Sequence, residues 1–340
     1  MKITDLKIEG YERVASCVDG GYRAFIAVHS TKLGPAVGGT RFWKYESDNA
    51  AVNDLLRLAR GMTYKNALAG LPLGGGKSIV LRPEGEFDRE QIFRAHARFV
   101  DTFGGSYITA EDVGTNPHDM AIVREETKHV AGLYGLSGDP SPFTARGVFR
   151  AMEAAANYRW EADSLSGKRV AIQGCGNVGY HLAANLHRAG AQLIVSDVDQ
   201  TKVDRVVKEF SASVVSTNDI YASDADIFAP CALGGIINDE TIPQFKVEII
   251  VGGANNQLLE ERHGEEIEKR GILYAPDYAA NAGGIINGCR ELLGWEESQS
   301  TAKVDEIYDT VLAILRTAKA EGIATYKAAD RLAEDRLSRA

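Results

Sequence analysis

The chain has few cysteines and no long apolar run, and both absences exclude classes of protein. Its four cysteines are scattered and form no CxxC pair, which favours reduced, structural thiols in a cytosolic protein. The seven histidines form no HExxH or similar ligand spacing, so we expect no catalytic metal. No apolar stretch approaches the ~20 residues that a membrane-spanning helix needs.

Negative charges outnumber positive ones. The 38 lysines and arginines against 47 acidic residues give a net charge of −9, without a basic block. This balance argues against a nucleic-acid partner and an anionic membrane partner. The first residues, MKITDLKIEG, alternate charged and apolar side chains and contain no signal-peptide core. We therefore expect a cytoplasmic protein, and 340 residues suffice for two domains with separate cores.

The stretch Gly61–Val80, GMTYKNALAGLPLGGGKSIV, carries two lysines with no charge between them. Lys65 ends a helix predicted to begin near Asp48, and Lys77 follows a glycine triplet and precedes a predicted strand, Ser78–Leu81. A lysine among apolar residues is costly to desolvate unless it meets an anion or loses its proton. A second lysine nearby would favour the neutral amine, which is a base at neutral pH. Two surface lysines flanking a turn would fit this stretch alone equally well.

Three further features of the first half are informative. Residues 11–30 predict a β-hairpin around Gly-Gly. Gly38 and Gly39 lie in a strand-like context, which indicates backbone held close to another group, although a bulge or turn gives the same pattern. Asp112 follows a predicted strand, Tyr107–Thr109, and acids at strand ends are common both in catalytic clefts and in plain turns.

The composition changes between Gly132 and Pro142 to glycine, serine, aspartate and proline. We place a domain boundary there, because linkers have this composition. Ser141 is the predicted N-cap of the following helix, and Pro142 suits its first position.

Residues 168–199 predict a dinucleotide-binding βαβ unit. Gly174, Gly176 and Gly179 form a GxGxxG turn between a buried strand and a helix, and Asp197 ends the next strand eighteen residues past the last glycine. The glycines permit the tight turn, the approach of a pyrophosphate and close packing of helix against strand. The N-terminus of the helix favours the negative charge of the pyrophosphate. Asp197 can hold both ribose hydroxyls and would repel a 2′-phosphate, which favours NAD over NADP. The complete context disfavours a βαβ unit without a ligand.

Three later strands each end in a loop of small residues or asparagine, APCALGG, GGANNQL and APDYAANAGGIING. In a parallel sheet such loops line the ligand crevice, so Ala232, Asn255 and Asn281 are candidate site residues. The predicted fold class is α/β with two domains. We expect an N-terminal α/β domain with a mixed sheet and a C-terminal Rossmann-type doubly wound domain, with a cleft between them.

Six ordered motifs together resemble the amino acid dehydrogenase family of leucine, phenylalanine, valine, tryptophan and glutamate dehydrogenases. They span nearly the whole chain and read GPAVGGTRFW, ARGMTYKNALAGLPLGGGKSIV, YITAEDVGT, QGCGNVG, APCALGG and DYAANAGGIIN. The resemblance implies NAD-dependent, reversible oxidative deamination of an L-amino acid to a 2-oxo acid and ammonium. It also implies a homo-oligomer, with residues 1–138 for substrate binding and oligomerisation and residues 139–324 for NAD. A C-terminal helix, residues 325–340, is expected to pack back on the first domain.

The same resemblance implies roles for individual residues. Lys77 would be the low-pKa lysine that activates water, and Asp112 would shuttle protons to and from the amino group. Lys65 would bind the substrate carboxylate with help from Asn281. The other implied substrate contacts are the backbone at Gly38 and Gly39, which would hold the carbonyl-like oxygen, and Met62. Beside the glycines and Asp197, the implied cofactor contacts are Thr144, Asn177, Val178, Ala232, Asn255 and Asn281.

The implied side-chain pocket comprises Val37, Ala110, Ile285 and Gly288. Glutamate-specific members usually carry a lysine where Val37 stands, so an apolar substrate is expected. Gly288 stands where leucine-type members commonly have a branched aliphatic residue, which would enlarge the pocket toward longer or aromatic side chains unless a neighbour fills the space. GGGK, rather than the GGAK of many leucine enzymes, favours the phenylalanine, valine or tryptophan branches. Leucine and aromatic substrates both stay open.

Three other functions are alternatives to this one. Glutamate dehydrogenase-type activity is the first. The second is a dehydrogenase of another 2-substituted acid, which typically uses histidine or arginine at the reacting centre. The third is a non-catalytic NAD-binding regulatory protein, against which the intact set of Lys65, Lys77 and Asp112 argues.

Overall fold

The computed structural model describes residues 1–131 and 138–340 of the chain, which divides into two compact units. Unit 1 comprises Met1–Gly138, Gly288–Trp295 and Ala333–Ala340. Unit 2 comprises Asp139–Asn287 and Glu296–Leu332. Residues 132–137, part of the predicted domain boundary, lie outside the described residues.

Unit 1 is built on a mixed six-stranded sheet with the order β1-β2-β3-β5-β4-β6. Its strands are β1 (Lys2–Leu6), β2 (Arg13–Asp19), β3 (Tyr22–Ser30), β4 (Ala36–Trp43), β5 (Gly74–Leu81) and β6 (Tyr107–Glu111). Its helices include α1 (Asp48–Leu68), α2 (Arg89–Asp101) and α3 (Pro117–Glu126). β4 pairs parallel with both β5 and β6, whereas β3 pairs antiparallel with β2 and β5. The hairpin predicted over residues 11–30 is confirmed.

The sheet of unit 1 has an apolar core on each face. Neighbouring residues of β3 point to opposite faces, as the pleat of a strand requires. Phe25 packs with Leu55 of α1 and with Ile79, and Ile26 belongs to the cluster that contains Phe93 of α2. Residues of β5 therefore face either α1 or α2, depending on their position along the strand.

Unit 2 is built on a parallel six-stranded sheet with the order β12-β11-β10-β7-β8-β9. Its strands are β7 (Arg169–Gln173), β8 (Gln192–Ser196), β9 (Ser213–Val214), β10 (Ile227–Pro230), β11 (Ile249–Ile250) and β12 (Leu273–Tyr274). The chain enters the sheet at β7 and winds out in both directions. Ligands of such doubly wound sheets bind where the strand order reverses, beyond the carboxyl end of β7. The predicted fold class, a mixed-sheet unit and a Rossmann-type unit, is confirmed.

The remaining helices follow these strands along the chain. They are α4 (Ser141–Trp160), α5 (Asn177–Arg188), α6 (Gln200–Phe210), α7 (Arg262–Lys269), α8 (Asp277–Ala280), α9 (Gly283–Gly288), α10 (Arg290–Leu293), α11 (Glu297–Asp305), α12 (Ile307–Glu321) and α13 (Thr325–Ser338). Over residues 1–131 and 138–340, no helix combines the length and apolar character needed to traverse a bilayer.

Two local predictions need correction. β5 begins at Gly74 rather than after the glycine triplet. A Cβ added at Gly75 would lie 2.0 Å from the backbone nitrogen of Thr63, so the glycines are strand residues that let α1 approach the sheet. Ser141 is not the N-cap of α4. The helix begins at Ser141 itself, and its backbone N–H is capped by Oδ1 of Asp139 at 2.8 Å.

Candidate functional site

The predicted catalytic pair, Lys77 and Asp112, is in direct contact in unit 1. Lys77 lies in the middle of β5 with only 5% of its surface exposed. Asp112 is the first residue after β6. The two strands flank β4 and are parallel to it, and Nζ of Lys77 lies 2.9 Å from Oδ2 of Asp112.

Burial lowers the pKa of the Lys77 amine, whereas the negative charge of Asp112 raises it. Burial has the larger effect, so the pKa of Lys77 lies below its ordinary value. Burial raises the pKa of the Asp112 carboxyl, but Lys77 and Arg41 outweigh burial and hold it below its usual range. A depressed pKa gives Lys77 the neutral form that a general base needs. Beside burial, the charge of Arg41 lowers the pKa of Lys77, whereas those of Asp112 and Asp54 raise it.

Sequence reasoning missed three residues that support this pair. Nε of Arg41 donates to Oδ2 of Asp112 at 3.0 Å, and Nη1 of Arg41 donates to Oδ2 of Asp54 at 2.8 Å. The Tyr45 hydroxyl donates to the same Asp54 oxygen at 2.6 Å. Arg41 could have been found from strand alternation, because it lies two residues past Gly39 on β4 and shares its face. Asp54 lies on α1, where no spacing connects it to Arg41.

Gly38 and Gly39 lie in β4, and their backbone is held close to other groups of the chain itself. A Cβ at Gly38 would lie 1.7 Å from the carbonyl oxygen of Gly76. A Cβ at Gly39 would lie 2.7 Å from Cβ of Asp112. The Tyr107 hydroxyl donates to the Gly38 carbonyl at 2.7 Å. Any larger residue here would displace the strand or the acid.

Lys65 and Met62 lie on the last turns of α1 and are half-buried. The backbone of Thr63, between them, packs against Gly75, two residues before Lys77. Arg336 on α13 donates to the carbonyl groups at the C-terminal end of α1, at 2.9 Å to Ala67. A guanidinium at this end is favourable for the helix dipole and satisfies carbonyls that have no partner within the helix.

In unit 2 the three glycines of the GxGxxG turn lie at the carboxyl end of β7 and at the start of α5. Gly174 has a φ of +100°, and a Cβ there would lie 2.9 Å from Cβ of Ala232. A Cβ at Gly179 would lie 1.9 Å from the carbonyl oxygen of Gly174. A Cβ at Gly176 would meet no heavy atom within 4 Å among the described residues, so this glycine borders open space. α5 starts at Asn177 without a side-chain cap, and its N-terminus favours an anion.

Asp197 connects this turn to the end of β8. Its Oδ2 accepts the backbone N–H of Cys175 at 2.6 Å, and its Oδ1 accepts that of Asp199 at 2.9 Å. A carboxylate has about four acceptor positions, so each oxygen can accept one further hydrogen bond. The residue is half-buried and therefore still accessible to a ribose.

Asn281 carries a buried polar atom that lacks a partner. Its Nδ2 donates to Oδ1 of Asn255 at 2.9 Å and to the carbonyl of Gly253 at 3.2 Å. Its Oδ1 has no hydrogen-bond partner among residues 1–131 and 138–340, although the side chain is 4% exposed. Because a buried amide oxygen without a donor is costly, this position fits a ligand that supplies one. Thr144, on the first turn of α4, packs closely against Gly284 in the same region.

The four implied pocket residues belong to different parts of the chain. Val37 is buried on β4, and Ala110 is half-buried on the paired strand β6. Ile285 is half-buried on α9, which ends at Gly288. A Cβ at Gly288 would meet no heavy atom within 4 Å among the described residues, so no described neighbour fills the space beside it. Val178, among the implied cofactor contacts, packs against Gly253.

The described residues contain one group of three possible metal ligands, Asp239, His263 and Glu266. Nη1 of Arg262 donates to Asp239 and to Glu266, each at 2.8 Å. A guanidinium among the carboxylates supplies the positive charge that a cation would bring, so this group is an ion-pair cluster.

Known proteins resemble the chain over almost its full length. Two family models match, "Glu/Leu/Phe/Val dehydrogenase, dimerisation domain" over residues 13–129, and "Glutamate/Leucine/Phenylalanine/Valine dehydrogenase" over residues 135–201 and 195–340. Leucine dehydrogenase of Bacillus cereus is 53% identical over 333 residues, which cover 96% of this chain and 91% of that protein. L-Tryptophan dehydrogenase of Nostoc punctiforme is 48% identical, with 97% and 94% covered. The crystal structure of L-tryptophan dehydrogenase from Nostoc punctiforme has a TM-score of 0.89 at 46% identity, with 97% and 96% covered.

Proposed function

Because the chain belongs to the Glutamate/Leucine/Phenylalanine/Valine dehydrogenase family, we propose that it catalyses NAD-dependent, reversible oxidative deamination of an apolar L-amino acid, with Lys77 and Asp112 as its proton-transfer pair. It is an amino acid dehydrogenase and uses a nicotinamide cofactor, as its family does. The products of deamination are the 2-oxo acid and ammonium. The observation that carries the residue assignment is the contact between buried Lys77 and Asp112 at 2.9 Å.

The residues divide the chemistry as follows. A bound nicotinamide supplies the hydride acceptor for deamination. The carboxylate of Asp112 takes a proton from the substrate ammonium group before the hydride leaves. Nζ of Lys77 takes a proton from the water that adds to the imino acid, and Asp112 then returns its proton to the nitrogen as ammonia departs. The ammonium group of Lys65 binds the substrate carboxylate. The backbone at Gly38 and Gly39 holds the carbonyl-like oxygen.

NAD, rather than NADP, is the proposed cofactor. The support is the charge of Asp197 at the end of β8, because a carboxylate there accepts ribose hydroxyls and repels a 2′-phosphate. The open space at Gly176 and the uncapped start of α5 suit a pyrophosphate. The unpartnered Oδ1 of Asn281 suits a donor from the nicotinamide amide or from the substrate ammonium.

An apolar side chain is proposed for the substrate. Val37 supplies no positive charge to pair with a side-chain carboxylate, which disfavours glutamate. The open space beside Gly288 favours a pocket that admits aromatic side chains as well as leucine. Two of the relatives that the chain resembles are named for leucine and for tryptophan, and both of these side chains fit such a pocket.

We also propose a separate role for each domain. Residues 1–138, with the end of the chain, would bind substrate and form a homo-oligomer, and residues 139–324 would bind NAD. The matched description of residues 13–129 as a dimerisation domain supports this assignment. Hydrogen bonds between α13 and α1 within unit 1 also support it. The Tyr64 hydroxyl donates to the Glu334 carboxylate at 2.7 Å, and Arg336 donates to the Ala67 carbonyl at 2.9 Å.

A spectrophotometric assay tests the proposal. Purified protein is mixed with NADH, ammonium and, one at a time, the 2-oxo acids of leucine, phenylalanine, tryptophan and glutamate, and the loss of NADH absorbance is followed. We expect ammonium-dependent oxidation with the apolar acids and little with the glutamate analogue. No ammonium-dependent oxidation with any acid would refute the function, and turnover restricted to the glutamate analogue would establish a glutamate dehydrogenase instead.

A further inference from the structure

We propose that Arg41, anchored by Asp54, is a positioning residue that fixes the Asp112 carboxylate for proton transfer, an inference that rests on the proposed function. Oδ2 of Asp112 accepts two hydrogen bonds, from Nζ of Lys77 at 2.9 Å and from Nε of Arg41 at 3.0 Å. The same guanidinium donates through Nη1 to Oδ2 of Asp54 at 2.8 Å. One rigid planar group therefore bridges two carboxylates through two different nitrogens.

Asp54 is itself held from other directions. The Tyr45 hydroxyl donates to its Oδ2 at 2.6 Å, and a guanidinium nitrogen of Arg57 donates to its Oδ1 at 2.9 Å. The side chains of Arg41, Asp54 and Asp112 are 20%, 19% and 23% exposed. Because these groups are largely shielded from solvent, their interactions are screened less than those of a surface ion pair.

The need for Arg41 follows from the proposed reaction. When Lys77 gives up its proton, Asp112 loses the charge of its ammonium partner, and a carboxylate left alone in a shielded site tends to take up a proton. Arginine stays charged at any working pH. Asp112 thus keeps a cation within hydrogen-bond distance in both protonation states of Lys77, so its orientation does not depend on that state.

Besides burial and each other, the groups that act on the pKa values of this pair are Arg41 on β4, for both members, and Asp54 on α1, for Lys77. Arg41 is the cation among them, so its removal should affect both members of the pair in the same direction. Loss of this charge raises the pKa of Lys77, because a like charge is removed, and raises that of Asp112, because an opposite charge is removed.

Arg41→Gln is the first test, with Arg23→Gln as the matched control. Arg23 also pairs with an aspartate of α1, Asp48, at 2.6 Å, but on an exposed face. For Arg41→Gln we expect a loss of kcat of at least about tenfold and a shift of the rising limb of the deamination pH profile to higher pH by about one unit. Arg23→Gln should match the parent protein. A pH profile for Arg41→Gln that coincides with the parent profile would overturn the inference.

Arg41→Lys separates charge from position. A lysine restores the positive charge but cannot bridge Asp112 and Asp54 with a planar fork. We expect the rising limb of the deamination pH profile to return close to its position in the parent protein. The kcat of Arg41→Lys should still be several-fold below that of the parent protein. If Arg41→Lys had the kcat of the parent protein, the guanidinium bridge between Asp112 and Asp54 would be unnecessary. This variant also serves as the test if Arg41→Gln does not fold.

A readout without turnover keeps this inference distinct from the proposed function. The rate of acetylation of Lys77 by acetic anhydride, followed by mass spectrometry at several pH values, reports the fraction of neutral amine in the cofactor-free protein. We expect its midpoint to move to higher pH in Arg41→Gln and not in Arg23→Gln. If the midpoint of acetylation did not move in Arg41→Gln, the role of Arg41 would be refuted, whether or not the parent protein is active. If the parent protein had no dehydrogenase activity, only the proposed function would be refuted.

Discussion

The backbone N–H of Cys175 donates a hydrogen bond of 2.6 Å to Oδ2 of Asp197, which ties the glycine turn to the end of the next strand. Oδ1 of the same carboxylate accepts the backbone N–H of Asp199 at 2.9 Å. Asp197 therefore holds the turn in shape and, in the proposed function, also selects the cofactor. A substitution at this position changes both, so its two effects need separate measurements.

Replacing Asp197 with serine should weaken the preference for NAD over NADP. The change removes the negative charge that would repel a 2′-phosphate, and serine is small enough to leave room for that group. We expect the ratio of kcat/KM for NAD to that for NADP to fall by at least about tenfold, which corresponds to roughly 1.4 kcal/mol. An unchanged ratio would count against Asp197 as the selecting residue.

Asp197→Asn is the matched variant for this test. Asparagine keeps a side-chain oxygen that can accept the N–H of Cys175, but it carries no charge. If charge selects the cofactor, Asp197→Asn should show most of the change in cofactor ratio. Its melting temperature should fall less than that of Asp197→Ser, because a buried N–H left without an acceptor costs about 1–3 kcal/mol. An asparagine variant with the parental ratio would assign selection to something other than charge.

Lys77→Ala should abolish turnover without preventing NAD binding. The substitution removes the base, and general acid–base catalysis contributes about 10²–10⁴-fold to rate. Asp112 retains its hydrogen bond from Arg41, so no buried carboxylate is left without a cation. Turnover is measured by NADH absorbance and NAD(H) affinity by fluorescence titration, with the exposed Lys44→Ala as control. Near-normal turnover in Lys77→Ala would disprove its assignment as base.

The deamination rate of the parent protein should rise with pH through a midpoint below the ordinary lysine pKa of about 10.4. The neutral amine of Lys77 is the active form, so activity appears as pH rises through the pKa of this group. Burial is the largest cause of the lowered pKa, and Arg41 adds to it against the opposing effect of Asp112. The test is kcat for deamination against pH at saturating substrate. A midpoint at or above the ordinary value would contradict the effect of burial.

Local patterns were sufficient to predict several elements and two acidic residues at strand ends. Helical periodicity predicted α1, and the GxGxxG turn with Asp197 was predicted from strand, turn and helix signals in register. Asp112 was recognised as an acid at a strand end. Each of these features depends on neighbours in the sequence, so no long-range contact was needed to find it.

Features that depend on contacts between distant segments were not predictable. Gly75 belongs to a strand because the backbone of Thr63 leaves no space for a side chain, and the sequence does not show that contact. Asp54 joins the site because α1 places it against Arg41, thirteen residues away on another element. The cap of α4 has a different reason, because its acceptor, Asp139, lies only two residues before Ser141. Sequence patterns place the first residue of a helix only to within one or two positions.

Gly288→Val should shift substrate preference from aromatic side chains toward leucine. Apart from its chain neighbours and the backbone of its own helix, no described heavy atom lies within 4 Å of a Cβ at this position. Valine can therefore be accommodated locally and would occupy the space beside the glycine. A few methylene groups in a hydrophobic pocket are worth about 1–3 kcal/mol of discrimination. We therefore expect the ratio of kcat/KM for phenylalanine to that for leucine to fall at least about tenfold.

Gly61→Val is the matched control for this substitution. Gly61 also lies in a helix, α1, and a Cβ there meets no described heavy atom within 4 Å. The phenylalanine-to-leucine ratio of this variant should equal that of the parent protein. If Gly288→Val also leaves the ratio unchanged, Gly288 does not border the substrate side chain.

His96 should make unit 1 sensitive to acid. Its ring is fully buried on α2, with Nδ1 at 2.8 Å from the hydroxyl of Tyr22 and Nε2 at 2.9 Å from that of Thr40. Burial lowers the pKa of His96 to about 3. An unfolded chain protonates this histidine below about pH 6.5, whereas the folded protein does not until the pH approaches that lower value. The stability contributed by the neutral ring is therefore complete above about pH 6.5 and is lost progressively as the pH falls from there.

His96→Gln tests this linkage, with the exposed His118→Gln as control. Glutamine does not titrate, but it cannot reproduce both hydrogen bonds of the ring, so the melting temperature at neutral pH should fall. Between about pH 6.5 and pH 4, however, the melting temperature of His96→Gln should decline less steeply than that of the parent protein, because one proton-binding group of the unfolded state is gone. His118→Gln should keep the parental slope. If His96→Gln also kept that slope, the acid sensitivity of the fold would have to come from groups other than this histidine.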